Sequence, residues 1–212
     1  MTIQSVILDL DGTLIDSAAG VQDSVQFAIA EVLPQHPFDR CKVKVGPPIR
    51  EMARNTFPDI AEDLIDRIAI SFRKHYDSVG WRNMVPYEGA VDVLARFRNR
   101  GIPLYLATNK PLAPTCDILQ QYGMAQYFTE YVCIDSTKPP FAGKADMLLY
   151  LGKQHGLEAG ATAYVGDTNA DFEAAVRCGM PFVFASFGYG AISGTAFRTI
   201  ATLKELTPEW LR

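Results

Sequence analysis

Residues 6–13 of the chain read VILDLDGT, an apolar run that stops at an aspartate. The β-branched and apolar residues from Thr2 to Leu8 predict a strand, and the polar turn that begins at Asp9 ends it. After Asp16 and Ser17, which suit a helix cap, the apolar positions recur every three or four residues and predict a helix. These positions are Val21, Val25, Ile29 and Val32. The stretch therefore predicts a strand whose carboxyl end carries acidic side chains, followed by a helix.

The chain from Pro86 onward alternates short apolar runs with longer helical patterns. The expected strands are 102–107, 131–133, 161–165 and 182–184, and the expected helices lie near 112–122, 144–154 and 169–178. This alternation predicts right-handed βαβ units, and hence an α/β fold with a doubly wound parallel sheet. The segment through Leu203, Leu206 and Trp210 is expected to pack on an edge of that sheet.

Residues 16–84 show helical periodicity and no clear strand. An apolar stripe at helical spacing runs from Ile60 to Tyr76, and Gly46 opens a Gly-Pro-Pro loop that leads into another helix. We therefore expect two domains: a Rossmann-like α/β core of residues 1–15 and 85–212, and an inserted helical domain of residues 16–84. Ligands of doubly wound sheets bind beyond the carboxyl ends of the strands, which is where functional residues are expected.

The composition narrows the classes of function. The 212 residues are 48% hydrophobic and 21% charged, as in globular proteins. Twenty basic residues against 24 acidic ones give a net charge of −4, which argues against nucleic acid or an anionic membrane as a partner. No apolar run is long enough for a secretory signal or a membrane-spanning helix. No C-x-x-C pair occurs, so reduced thiols and a cytoplasmic protein are expected; the cysteines are Cys41, Cys116, Cys133 and Cys178.

Acidic residues follow two of the predicted strands, with Asp9 and Asp11 after the first and Asp167 and Asp171 after a later one. A single aspartate in such a place is usually a turn former or a helix cap. Two acidic clusters at one sheet edge repel each other unless a cation or a shared proton compensates them. Oxygen ligands without histidine or cysteine favour Mg²⁺, which usually also binds substrate phosphate. The clusters therefore predict a site for Mg²⁺ and a phosphate.

Groups that bind phosphate anions follow the same strands. Gly12 and Thr13 offer backbone amides and a hydroxyl, and Thr108 and Asn109 offer a hydroxyl and a side-chain amide. Lys144 supplies a positive charge. These residue types complete a predicted phosphate site.

Four motifs together resemble the haloacid dehalogenase superfamily. Residues 9–17, DLDGTLIDS, resemble its first motif, DxDGTLxDS, and LATNK at 106–110 resembles its second. Lys144 in GKAD (143–146) resembles the third motif, and GDTNAD (166–171) the fourth. The third motif more often reads Lys-Pro-x-Pro, so Lys138, which begins a Lys-Pro-Pro-Phe run, is the alternative to Lys144. The insertion resembles the helical cap of the family's phosphoglycolate phosphatase and nucleotidase-like branch.

The resemblance implies a magnesium-dependent phosphatase. Asp9 would attack phosphorus and become an aspartyl phosphate, and Asp11 would act first as general acid and then as general base. Thr108 and Lys144 would hold the phosphoryl oxygens, with Asn109 assisting. Dehalogenation is not implied, because the family's dehalogenases lack the acid at the position of Asp11. The implied Mg²⁺ ligands are Asp9, Asp11 through its carbonyl, Asp167 and Asp171, the last as a ligand or as a support.

The cap of the resembled family selects the substrate. Gly46 would let the backbone approach the ligand, and Arg50 would bind a carboxylate or a second phosphate; the alternative for Arg50 is a solvated side chain. The expected partner is a small phosphorylated metabolite, phosphoglycolate-like or nucleotide-like, and the chain is expected to be a monomer or a homodimer. Two other functions stay open, a sugar phosphomutase and a phospho-ligand binding protein without catalysis.

Overall fold

The computed structural model describes residues 2–40, 43, 45–46, 49–192 and 197–209. The chain divides into two compact units, Met1–Asp16 with Pro86–Arg212, and Ser17–Val85. Each of the two predicted domain boundaries lies one residue before the boundary between the units. Within the described ranges, no helix combines the length and the apolar character that crossing a membrane requires.

The first unit is built on a parallel sheet of six strands. The chain's strands are β1 (Ser5–Leu8), β2 (Ile15–Asp16), β3 (Val85–Pro86), β4 (Leu104–Thr108), β5 (Phe128–Cys133), β6 (Thr162–Gly166), β7 (Phe182–Ala185) and β8 (Arg198–Ile200). The six-stranded sheet has the order β5-β4-β1-β6-β7-β8, and β2 and β3 form a separate pair. Because the order runs outward from β1 in both directions, the sheet is doubly wound. The predicted fold class, α/β with a doubly wound parallel sheet, is confirmed.

Helices connect the strands of the first unit and make up most of the second. Those of the second unit are α1 (Ala18–Val32), α2 (Ile49–Thr56) and α3 (Glu62–Ser78). Those of the first unit are α4 (Ala90–Asn99), α5 (Leu112–Gln121), α6 (Lys144–His155) and α7 (Asn169–Cys178). The helix predicted at 169–178 has these bounds, and the other two predicted in this unit end within one residue of the observed helices.

Strand pairing aligns the carboxyl ends of the three central strands. Leu8 of β1 lies opposite Leu106 of β4 and Val165 of β6. The backbone N–H of Asp9 donates to the carbonyl of Val165 at 2.9 Å, so the ladder continues one residue beyond β1. Every residue of these three strands is buried, as parallel sheets with helices on both faces require. The polar residues that follow the strands therefore share one edge of the sheet.

The second unit has its own apolar core. α1 and α2 pack against α3, and the core residues are Val25, Ala28, Ile29, Met52, Ala53, Ile65 and Ile68. In the predicted stripe, Leu64 and Phe72 are only partly buried, whereas Ala69 and Ser71 are buried. The predicted stripe still packs inward, because Ile68 and Tyr76 are buried and Ile60, Leu64 and Phe72 lie against the core. Beside it, Ser71 donates a hydrogen bond to Glu31 of α1. The sequence expectations for Pro47 and Pro48 lie outside the described residues.

The C-terminal part of the first unit extends the sheet. Residues 198–200 form β8, which pairs with β7. The sequence analysis did not predict this strand, because only Ile200 of its three residues is buried and no alternation marks it. Leu203 and Leu206 beyond it are buried, while the expectation for Trp210 falls outside the described residues.

The described cysteines are free thiols. Cys133 and Cys178 are buried and Cys116 is partly buried. Burial raises the pKa of the Cys133 thiol to about 11, so this side chain stays protonated and unreactive at neutral pH. Cys41 is not among the described residues.

Leu106 is fully buried in β4, between β1 and β5. Leu106→Ala leaves a cavity, so we expect the free energy of unfolding to fall by about 2–5 kcal/mol. The matched control is Leu149→Ala on α6, where the side chain is 52% exposed and the change should stay below about 1 kcal/mol. Urea unfolding followed by circular dichroism measures both values. Equal losses in the two variants would contradict the burial of this strand.

Candidate active site

Five buried side chains occupy the carboxyl edge of the sheet. Asp9 follows β1, Thr108 ends β4, and Asp167 follows β6. Two helices add charged groups, because Lys144 is the first residue of α6 and Asp171 lies in the first turn of α7. These five residues bring three carboxylates, one ammonium group and one hydroxyl to the edge, shielded from water.

Lys144 joins two of these carboxylates. Its Nζ lies 2.6 Å from Asp9 Oδ1 and 2.8 Å from Asp171 Oδ1, and it donates to the Tyr164 hydroxyl at 3.0 Å. Burial alone lowers the pKa of Lys144, but the two carboxylates outweigh that effect and raise the pKa above its ordinary value. The amine therefore stays charged. The alternative lysine, Lys138, is exposed, so the geometry favours Lys144 as the lysine of the third motif.

Asp171 is fully engaged by donors of the protein. Its Oδ1 accepts from Lys144 and, at 2.6 Å, from the Tyr164 hydroxyl. Its Oδ2 accepts from the backbone N–H and the hydroxyl of Thr168, as part of the capping box that begins α7. Burial by itself raises the pKa of Asp171, but Lys144 and these hydrogen bonds hold it below its ordinary value. Of the two roles expected from the sequence, support of the site fits these contacts better than direct ligation.

Asp167 has one oxygen held and one oxygen unpaired. Its Oδ2 accepts the backbone N–H of Tyr189 at 2.7 Å. Its Oδ1 is buried and has no hydrogen-bond partner among the described residues. Burial raises the pKa of Asp167 to about 7, against the lowering effect of the Tyr189 N–H. Gly12 lies against this carboxylate with a φ of +79°, and a Cβ there would stand 2.1 Å from Asp167 Oδ2.

Lys110 is a charged member of the site to which the sequence analysis gave no role. Its Nζ donates to Asp11 Oδ1 at 2.8 Å, and its side chain is buried. Asp11 itself is partly exposed, which suits the acid and base role that the sequence analysis expects of it. The available signal was the position of Lys110 two residues after the end of β4, at the edge where the other site residues stand.

The remaining predicted site residues of the first unit lie near the same edge. The Thr108 hydroxyl accepts the backbone N–H of Lys110 at 3.2 Å. The Thr13 hydroxyl is buried and has no hydrogen-bond partner in the part of the chain that the structure describes. Asn109 is exposed and, with Lys144, lines a cavity of about 340 Å³.

The backbone N–H groups of Gly12 and Thr13, which the sequence analysis offered to an anion, donate instead to the carbonyls of Ile15 at 2.9 Å and Leu10 at 3.3 Å. The turn that follows Asp9 uses them internally, so the hydroxyls of Thr13 and Thr108, and not these amides, stand beside the charged groups.

The substrate-binding residues expected from the helical domain belong to the second unit. Gly46 has a φ of +127°, a conformation that favours glycine. The Arg50 side chain is exposed, and its guanidinium forms an ion pair with Asp66 of α3. Its role in substrate binding stays a prediction.

The site fits a divalent cation. Oxygen atoms of Asp9, Asp167 and Asp171 lie within 4.8 Å of one another. Burial raises the pKa of Asp9 to about 8, in spite of Lys144, and the other two carboxylates add to the rise. Such a carboxyl group is partly protonated at neutral pH unless more positive charge arrives. A hard cation would supply that charge and satisfy the unpaired Asp167 oxygen, and an all-oxygen donor set suits Mg²⁺.

Comparison of the sequence with known proteins gives matches along almost the whole chain. The model of the haloacid dehalogenase-like hydrolase family matches residues 6–185. The tyrosine-protein kinase PtkA of Mycobacterium tuberculosis is 32% identical over 211 residues, which cover 96% of this chain and 71% of PtkA. The phosphoglycolate phosphatase of Escherichia coli is 26% identical over 211 residues, which cover 88% of this chain and 82% of the phosphatase.

Solved structures share the fold. The structure of Mycobacterium tuberculosis PtkA superposes with a TM-score of 0.82 and 31% identity, covering 99% of this chain and 98% of the chain in that structure. A putative phosphoglycolate phosphatase from Lactobacillus delbrueckii superposes with a TM-score of 0.84 and 18% identity, covering 99% of each chain. At that identity the second likeness shows the fold alone.

The raised pKa values of Asp9 and Asp167 predict how stability depends on pH. Both groups hold protons more tightly in the folded chain, so without a divalent cation the free energy of unfolding should fall as pH rises from about 4 to about 8. Asp171 does not oppose this trend. Because its pKa is lowered by folding, the stability that it contributes is lost only at a pH below that range. Asp167→Asn removes one of the titrating groups, and we expect it to reduce the fall by about 2–4 kcal/mol.

Urea unfolding in EDTA at about pH 5 and about pH 8 measures this difference. Asp92→Asn, on the exposed surface of α4, is the control and should keep the pH dependence of the unaltered chain. An equal fall in the free energy of unfolding in the unaltered chain and both variants would show that burial does not raise the pKa of Asp167.

Proposed function

Because this chain belongs to the haloacid dehalogenase-like hydrolase family, we propose that it is a Mg²⁺-dependent phosphatase acting on small phosphate monoesters. The family predicted from the sequence motifs is thereby confirmed. One observation carries the proposal: Asp9 stands at the sheet edge with one oxygen held by Lys144, beside a buried Asp167 oxygen that has no hydrogen-bond partner among the described residues. This pairing provides a carboxylate nucleophile next to a place for positive charge, which a dianionic phosphate requires.

In the first step, Asp9 attacks phosphorus. A bond forms between an Asp9 carboxylate oxygen and phosphorus, and the bond from phosphorus to the ester oxygen breaks. Asp11 in its acid form gives its proton to the departing oxygen, which leaves as an alcohol. Lys144 and the hydroxyl of Thr108 hold the phosphoryl oxygens, with Asn109 assisting, and so stabilise the charge that builds up on them.

In the second step, water hydrolyses the aspartyl phosphate. Asp11, now a carboxylate, takes a proton from the water as its oxygen attacks phosphorus, and Asp9 is released. The contact from Lys110 Nζ keeps the Asp11 side chain in one orientation during both steps. The Asp11 carboxyl group therefore serves as the acid in the first step and as the base in the second.

The residues that would hold Mg²⁺ are Asp9, Asp167 and the backbone carbonyl of Asp11. When bound, the ion lowers the cost of bringing a phosphate dianion to a carboxylate. Asp171 holds Lys144 and the first turn of α7 in place. Lys144 would also help to keep Asp9 ionised, which a nucleophile requires, because its positive charge opposes the effect of burial.

The substrate class rests on the relatives. The phosphoglycolate phosphatase of Escherichia coli is aligned over most of its length, and so a small phosphorylated carboxylate is the substrate to test first, followed by nucleotides. In this proposal the only partner is such a metabolite, without nucleic acid or membrane, and the protein is cytoplasmic, as a monomer or a homodimer.

A protein tyrosine kinase is the second candidate, because PtkA is the relative with 32% identity. An aspartyl phosphate passes its phosphoryl group to whichever hydroxyl reaches it. Water as the acceptor gives a phosphatase, whereas a tyrosyl hydroxyl gives a kinase whose donor would be a nucleoside triphosphate. The two functions differ in acceptor and donor, and both need Asp9.

We expect the purified protein to release inorganic phosphate from phosphoglycolate or p-nitrophenyl phosphate with Mg²⁺, and not with EDTA. Asp9→Asn removes the nucleophile and should lower kcat/KM by about 1000-fold or more, while the exposed Asp92→Asn control keeps full activity. Phosphate release that survives Asp9→Asn would contradict the mechanism. Parallel reactions with ATP and a tyrosine-containing peptide separate the second candidate, since label on the peptide without phosphate release would identify a kinase.

A pair of lysine variants tests which lysine serves the third motif. Lys144→Met removes the ammonium group from Asp9 and from the phosphoryl oxygens, so kcat/KM should fall by about 100-fold or more. Lys138→Met removes an exposed charge and should leave kcat/KM within about 2-fold. Steady-state kinetics on the same substrate measures both. A larger loss in Lys138→Met would assign the motif to that residue instead.

A further inference from the structure

We propose that the segment Gly188-Tyr189-Gly190, which follows β7, is a positioning part of the cation site, because it fixes the Asp167 carboxylate and leaves one oxygen free for the ion. The inference rests on the proposed function, since it concerns the Mg²⁺ of that site. None of the four motifs contains these residues. The segment lies in the first unit, in the same unit as the aspartates.

The main contact is a backbone hydrogen bond. The Tyr189 N–H donates to Asp167 Oδ2 at 2.7 Å, while Oδ1 stays buried and unpartnered among the described residues. An aspartate that has one oxygen held cannot rotate without losing that bond. The orientation of the free oxygen is therefore set by Tyr189, and an ion that binds there meets a ligand already in place.

The backbone of the segment lies directly on Asp167. A Cβ at Gly188 would stand 2.3 Å from Asp167 Cβ and 2.4 Å from the carbonyl oxygen of Gly12. A Cβ at Gly190 would stand 2.3 Å from the carbonyl oxygen of Asp167. All three distances are shorter than Cβ atoms show in real structures, so a side chain at either glycine would push the aspartate or the Gly12 loop away. The approach that lets Tyr189 reach Oδ2 thus requires glycine on either side.

Other contacts hold the segment in position. The Gly188 N–H donates to the carbonyl of Ala185, at the end of β7, at 3.1 Å. The Tyr189 hydroxyl donates to Asp16 Oδ1 at 3.0 Å, beyond the loop that carries Asp9 and Asp11. Next to it, the Phe187 ring meets the edge of the Tyr87 ring at 4.8 Å between centroids. The segment therefore ties β7 to the loop after β1, with Asp167 between them.

A role in folding alone and a role in positioning the ligand have different consequences. If the segment only stabilises the fold, its variants lose stability but bind Mg²⁺ as the unaltered chain does once folded. If it positions Asp167, a folded variant binds Mg²⁺ more weakly. The affinity for the metal ion, measured apart from catalysis, separates the two roles.

The experiment is isothermal titration calorimetry of the full chain with Mg²⁺ alone, without substrate. Gly188→Ala should raise the dissociation constant for Mg²⁺ by about 10- to 100-fold, the usual effect of disturbing the support of a metal ligand. The matched control is Gly152→Ala on α6, where a Cβ meets nothing within 4 Å and the affinity should not change. Circular dichroism and the Tm of each variant report whether it is folded.

Tyr189→Phe is the second variant, because Gly188→Ala brings a new atom against backbone and can prevent folding. It keeps the N–H that binds Asp167 and removes the hydroxyl that donates to Asp16 and also pairs with Tyr87, so we expect the dissociation constant to rise by a smaller factor, about 3- to 10-fold. If Gly188→Ala does not fold, this variant decides: weaker binding supports the proposal, and unchanged binding overturns it.

The outcomes separate this inference from the proposed function. If the unaltered chain binds Mg²⁺ and a folded Gly188→Ala binds it equally well, only the role of the segment is overturned. If the unaltered chain binds no Mg²⁺, the metal dependence of the proposed function fails, and the segment has no such role either. Weaker binding in Gly188→Ala with unchanged binding in Gly152→Ala supports both.

Discussion

The contact of Lys144 with Asp9 and Asp171 is the interaction on which the site depends. A buried ammonium group is costly unless carboxylates and hydrogen bonds compensate it, and here two carboxylates and the Tyr164 hydroxyl do so. Those partners come from the end of β1, from β6 and from the first turn of α7, so the ion pair requires these elements to hold one arrangement. Loss of one partner would leave the others buried and unbalanced.

The same arrangement leaves the site short of positive charge. Asp9, Asp11, Asp167 and Asp171 face two ammonium groups, those of Lys110 and Lys144. Burial opposes the ionisation of Asp9 and Asp167, the first of which must be ionised to attack phosphorus. A divalent cation resolves this conflict, and the unpaired oxygen of Asp167 gives it a ligand. The cation of the proposed function would thus compensate the burial and the charge of these carboxylates.

Much of the fold could be predicted because its signals are local. The apolar run before Asp9 and the runs of β4, β6 and β7 are continuous, as buried parallel strands require. The capping box that begins α7 also lies within a few residues. The failure occurred where burial does not repeat along the chain, since only one of the three residues of β8 is buried.

The sequence by itself determined the fold class and which acidic residues follow which strands, and it predicted the residues of the proposed chemistry, because turns and strand ends leave a pattern within a few positions. Only the tertiary structure decided how they pair. It brought Lys110 to Asp11, 99 residues apart, and Tyr189 to Asp167, and it buried Lys144 while Lys138 stayed exposed. Such pairings arise from the packing of distant elements around one sheet, and the periodicity of a single element carries no information about which distant atom its side chains will meet.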